Sequence, residues 1–137
     1  MFLVYLEDGK YIDVESDENN VIHVYNCCGV KNPVLLYEHN DIISVCRWIL
    51  TQQKPKKSDK ELLTKLINLE YLLRQTIINA TKKEMAKGKS FETARQTIIN
   101  LFVGQDEDFI DESFDLDNFV EKYRKMIKVI TEELSKI

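Results

Sequence analysis

The chain has 137 residues, 44% hydrophobic and 31% charged, with a formal net charge of −4. That length suits one domain, its apolar content excludes a mainly disordered chain, and its mild acidity argues against a general nucleic-acid binder. No run approaches the roughly 18 apolar residues of a membrane span, and the opening MFLVYLEDGK, lacking a basic leader and broken by Glu7 and Asp8, is not expected to be a secretory signal.

Asp8-Gly9 lies between two β-prone runs, Phe2 to Glu7 and Lys10 to Glu15. Asp-Gly there predicts a two-residue hairpin turn, because glycine accepts the positive φ of a type I′ turn. In that register Tyr5 faces Ile12 and Leu6 faces Tyr11. Both faces of the first strand are then apolar, as in a strand that is central in the sheet or covered on both sides. A third strand is expected over Val21 to Asn26, with Ile22 and Val24 on one face and His23 and Tyr25 on the other. After the Gly29 and Asn32-Pro33 loop, Val34 to Tyr37 reads as a fourth.

The apolar period then becomes helical. Asn40 is the expected N-cap of a helix running to about residue 53, apolar nearly all round and so buried. Lys54-Pro55-Lys56-Lys57 ends it and is expected to be a hinge. Ser58-Asp59-Lys60-Glu61 has the pattern of a capping box. The following helix can run to about Lys87 with Leu62, Leu66, Leu69, Leu73, Thr76 and Ala80 in one seam. At 1.5 Å per residue it would be about 43 Å long, more than a compact domain of this size spans. It is therefore expected either to break near Asn79 or to project toward a partner.

Gly88 is an expected helix stop and Ser90 a new N-cap, opening a helix with Phe91, Ala94, Ile98 and Leu101 on one side. An acidic loop from Gln105 to Asp115 leads to a last helix of clear periodicity: Leu116, Phe119, Tyr123, Met126, Ile130, Leu134 and Ile137. One hexapeptide recurs 21 residues apart, Arg74-Gln75-Thr76-Ile77-Ile78-Asn79 and Arg95-Gln96-Thr97-Ile98-Ile99-Asn100. Duplication and convergence on one packing face both account for it.

The predicted fold class is α+β: an N-terminal antiparallel sheet of three to four strands packed on a helix, then a helical C-terminal half of about three helices. The chain is expected to be one domain, 1–53 forming the sheet and first helix and 58–137 the helical part and region of self-association.

Charge falls in blocks: −5 over residues 1–53, +6 over 54–100 and −5 over 101–137. Asp106, Glu107, Asp108, Asp111 and Glu112, interleaved with Phe109 and Ile110, form a candidate acidic surface for a protein partner. Lys54, Lys56, Lys57, Lys60, Arg74, Lys82, Lys83 and Arg95 are candidate anion contacts for nucleotide or nucleic acid. Leu62, Leu66, Leu69, Leu73, Tyr123, Met126, Ile130 and Leu134 are candidate dimerisation residues, because the helical stripes offer more apolar length than a small sheet can cover.

Catalytic chemistry has little support. His23, Cys27, Cys28, His39 and Cys46 are zinc-type ligands without zinc-type spacing. Gly88-Lys89-Ser90 lacks the earlier glycine and the strand of a phosphate loop. The acidic run lacks the sixth-position glycine and twelfth-position glutamate of an EF-hand. No cofactor or metal is called for.

The leading expectation is a non-catalytic, cytoplasmic protein-binding module, a homodimer of the accessory-regulator or inhibitor kind found in phages, viruses and mobile elements. That origin draws on small size, uneven charge, the lack of catalytic motifs and an AT-rich residue bias, 15 lysines against 4 arginines. A nucleotide or nucleic-acid binder, or a small metal- or thiol-dependent enzyme, is the alternative.

Overall fold

A computed structural model describes residues 1–26, 33–98, 100 and 114–135. It has four antiparallel strands, β1 (Phe2–Tyr5), β2 (Tyr11–Ser16), β3 (Ile22–Asn26) and β4 (Val34–His39), followed by helices. These are α1 (Ile42–Gln52), α2 (Lys57–Ala86), α3 (residues 91–98) and α4 (Leu116–Ser135). The α+β class and the helical C-terminal half are as expected. A two-residue strand, β5 (Phe114–Asp115), falls within the expected acidic loop and pairs parallel with β1, completing the order β4-β3-β2-β1-β5.

The first hairpin is shifted by one residue from the sequence reading. Tyr5 faces Tyr11, Val4 faces Ile12 and Phe2 faces Val14. The turn holds three residues, with Leu6 N–H donating to Lys10 O and Gly9 at φ +86°. This is a turn closed by a left-handed glycine, which Asp-Gly serves as readily as the two-residue form. The shift matters because side chains alternate faces. Phe2, Val4, Leu6, Ile12 and Val14 all point into the core and are buried, while Leu3, Tyr11 and Asp13 are half-buried on the other face. The strand is therefore central, between β2 and β5, and buries one face rather than being covered on both.

Onto that face pack Val45, Cys46 and Ile49 of α1, Leu63 and Leu66 of α2, and Leu116, Phe119 and Val120 of α4. Burial pushes the Cys46 thiol up to about 12, with the charges of Glu70 and Asp41 adding to it, so this sulfur is a core group and no nucleophile. Asp41, not Asn40, caps α1 by accepting from Ile43 N–H at 3.1 Å.

Tertiary contacts also override the expected capping box. The N-cap of α2 is Lys56, which makes no side-chain capping bond. Asp59 instead turns inward, is buried, and accepts Tyr5 N–H at 2.6 Å. Lys56 N–H donates to Tyr5 O and Glu7 N–H to Lys54 O. Pro55, expected in a hinge, is buried and bridges Leu6. Together with β5, these bonds occupy the outer edge of β1, which would otherwise offer free backbone groups to another strand.

The helix α2 is continuous for 30 residues, with no break near Asn79. Its length is about 45 Å. Past the sheet its seam is covered from within the chain: Leu73 packs with Met126, Ile127 and Ile130 of α4. Gly88, at φ +94°, ends the α2 turn, and its N–H donates to Met85 O.

On the other face of the sheet, partial burial raises the Asp13 carboxyl to about 6, reinforced by a hydrogen bond and like charge from Glu15, while the N-terminal ammonium opposes the shift. The folded chain then holds a proton that the unfolded chain has released, so this group lowers stability as pH rises from the ordinary 3.8 to about 6. Asp13→Asn is expected to melt higher than wild type at pH 7, with the gap closing toward pH 4 in thermal scans. A gap independent of pH would contradict this assignment.

Candidate functional site

The C-terminal half of α2 and the start of α3 enclose an open apolar groove of about 420 Å³. Ile77, Ile78, Thr81, Lys82 and Met85 form the α2 wall, and Phe91 and Arg95 the α3 wall. Three of the exposed large apolar residues meet here: Ile78 at 48%, Met85 at 41% and Phe91 at 55%. Apolar side chains gathered this way mark binding surfaces more often than apolar residues scattered singly.

Local sequence builds the two walls. Ser90 caps α3 by accepting Thr93 N–H at 3.2 Å. The turn between the helices is held by Glu84, which is buried and bridges Lys89 at 2.7 Å and Lys87 at 3.4 Å. Those two lysines, Lys89 foremost, hold the Glu84 carboxyl below its ordinary range. Ala80 and Thr81 on α2 and Ala94 and Ile98 on α3 are buried. Small residues at three of these four positions suit a close approach of the two helices.

The repeated hexapeptide places one copy on each helix. Gln75 donates to Asn79 at 3.1 Å and Gln96 to Asn100 at 2.9 Å, and Thr76 and Thr97 each bond the carbonyl four residues back. The two arginines differ. Arg74 is engaged by Asp41 and by Glu70. Burial alone would raise the Asp41 carboxyl, but the Arg74 guanidinium, Ile43 N–H and Ser44 hydroxyl outweigh it and hold it down. Arg95, like Lys82, makes no ion pair or hydrogen bond with any described residue. The groove therefore has an apolar floor and two cations, one on each wall, that are unpaired among the described residues.

The same side of α2 is touched by α1 further toward its N-terminus, although Tyr71 remains 47% exposed there. Ile67, Tyr71, Arg74, Ile78, Thr81 and Met85 recur at helical spacing of three and four, which puts them on one side. Over the first part of that stripe lies α1: Arg47 donates to the Tyr71 hydroxyl at 2.7 Å, and Asp41 accepts from Arg74. The N-terminal end of α1 meets α2 at Arg74, and the groove begins one turn beyond.

The residues singled out from sequence are distributed differently. Leu66 and Leu73, and Met126 and Ile130, are buried in the chain's own core, with Leu62, Leu69 and Tyr123 partly buried against it. They are turned inward within this chain; the Leu134 side chain lies outside the described residues. The acidic surface Asp106, Glu107, Asp108, Asp111 and Glu112 also lies outside them.

The lysines do not converge. Lys54, Lys57 and Lys60 are exposed at one end of α2 and Lys56 stands over the Tyr5 ring, whereas Lys82 and Lys83 are exposed more than 20 residues away on the same helix. Of the zinc-type residues, His23 Nε2 is 2.9 Å from Asp17 Oδ2, with Glu38 3.3 Å from Nδ1, and His39 Nδ1 accepts Asp41 N–H. Cys27 and Cys28 are outside the described residues. Among the described residues no three His, Cys, Asp or Glu side chains are grouped to hold a metal.

Ile78, Met85 and Phe91 were not read as a site from sequence. The signal was present in Tyr71, Ile78 and Met85, spaced by seven off the leucine seam, but only the fold shows which stripe is covered.

Comparison with protein-family models, curated proteins and solved structures finds no match. Among the described residues no helix is long and apolar enough to cross a membrane.

Proposed function

We propose that this protein is a non-catalytic binding module that acts by docking a helix of a partner protein in the α2–α3 groove. The observation that carries this reading is the exposed apolar stretch Ile78–Met85–Phe91 lining one groove between α2 and α3. A helix in a groove is a common recognition mode, with apolar anchors recurring at three, four and seven residues. An accessory regulator or inhibitor works in this way, by complementarity rather than chemistry.

A second copy of the chain is a poorer occupant than a different protein. A two-fold pairing of this face would bring Lys82 and Arg95 of both copies to one interface, and like charges there oppose association. Of the leucines expected to support a homodimer, Leu66 and Leu73 are buried and Leu62 and Leu69 partly buried within the chain.

Selection of a random 16-residue peptide library on the immobilised protein tests the reading. The enriched peptides are expected to bind wild type and to lose at least about tenfold in affinity with Ile78→Asp or Phe91→Asp, since centrally placed anchors dominate such interfaces. Enriched peptides that bind these variants as well as wild type would refute it.

A further inference from the structure

Resting on the groove as a docking site, we infer that its occupant is an acidic amphipathic helix, with carboxylates flanking both sides of its apolar stripe. The groove pairs an apolar floor with cations on opposing walls, Lys82 from α2 and Arg95 from α3. Neither has a carboxylate partner among the described residues, although the equivalent arginine of the first hexapeptide, Arg74, has two. At a rim half closed by apolar walls, a charge left alone gains from a partner that supplies the opposite sign.

The geometry sets the length. The α2 wall runs from residue 77 to 85, about 12 Å, which faces two to three turns of a docked helix. Such a helix needs apolar residues at i, i+3 or i+4, and i+7 to meet Ile78, Met85 and Phe91. Glutamates beside that stripe on either flank would reach Lys82 and Arg95. A basic or neutral amphipathic helix has the same apolar match but leaves the two cations unanswered.

Three synthetic 16-residue helical peptides test this, sharing one leucine stripe and carrying Glu, Gln or Lys at the flanking positions. Binding is read by fluorescence anisotropy at low and high salt against wild type, Lys82→Glu/Arg95→Glu and Phe91→Asp. The Glu peptide is expected to bind about tenfold tighter than the Gln peptide, with the advantage shrinking at high salt. The double charge reversal is expected to transfer the preference to the Lys peptide. Both cations are exposed, so these substitutions leave the core untouched.

Equal binding of all three peptides, lost in Phe91→Asp, would overturn the acidic occupant and leave the groove reading standing. No Phe91-dependent binding by any peptide would overturn both. A sedimentation mass of two chains that reverts to one in Phe91→Asp would place a second copy in the groove, and tight binding of a long-chain fatty acid anion without the peptides would place a small amphiphile there. Either result overturns the inference.

Discussion

Phe119→Ala is expected to remove about 3–5 kcal/mol of folding stability, the range for deleting a fully buried aromatic side chain. Phe119 is 1% exposed, and its ring centroid lies 4.9 Å from Phe2 and 5.2 Å from Tyr123. It is where α4 meets β1, and it sits beside Leu116 and Val120 in the main core. The loss combines the apolar surface removed with a cavity that a sheet on one side and a helix on the other cannot close. A chain of this size should show a fall in melting temperature of more than about 10 °C. A fall below about 3 °C would mean that α4 does not seal the core as described.

Asp59→Ala is expected to cost about 2 kcal/mol, because it strips a charged acceptor from Tyr5 N–H and leaves that donor without a partner. The effect should be cooperative with the edge of β1, since Tyr5 O and Glu7 N–H bond to the same segment at Lys56 and Lys54. Asp59→Asn retains an acceptor and should recover part of the loss in urea unfolding. Full stability of Asp59→Ala would contradict the assignment and return Asp59 to the role of a helix-start residue.

The elements that sequence made legible are those whose signal is carried by many residues at once. The stripe of α4 follows from Leu116 to Ile130 through repeated spacing, and the alternation of Ile22, His23, Val24 and Tyr25 set the faces of β3. Both are observed, with the apolar members buried. Errors arose where a single residue decided between two nearly equal arrangements. Asp8-Gly9 marked the turn correctly, but glycine's left-handed freedom serves either loop length, and the choice moved the register by one. Ser58 to Glu61 matched a capping box, yet the Tyr5 N–H offered Asp59 a better use than local capping.

The site was less legible than the fold for a related reason. A leucine seam and a docking stripe have the same spacing, and only packing tells them apart. The Leu66 and Leu73 seam is filled by α4 and the sheet, so it is core. The stripe through Ile78 and Met85 is met by α1 only as far as Arg74, and Phe91 joins it from another helix. The unequal fates of Arg74 and Arg95, identical in local sequence, likewise depend on whether a distant carboxylate such as Asp41 arrives.

The docking groove is the central claim, and amide chemical shifts of the isotope-labelled protein, titrated with the glutamate-flanked peptide, test it most directly. The shifted signals are expected to cluster at residues 77–85 and 91–95 and to saturate with one peptide per chain. Shifts spread across β1 to β4 with those helical segments unmoved, or no shifts at millimolar peptide, would contradict it.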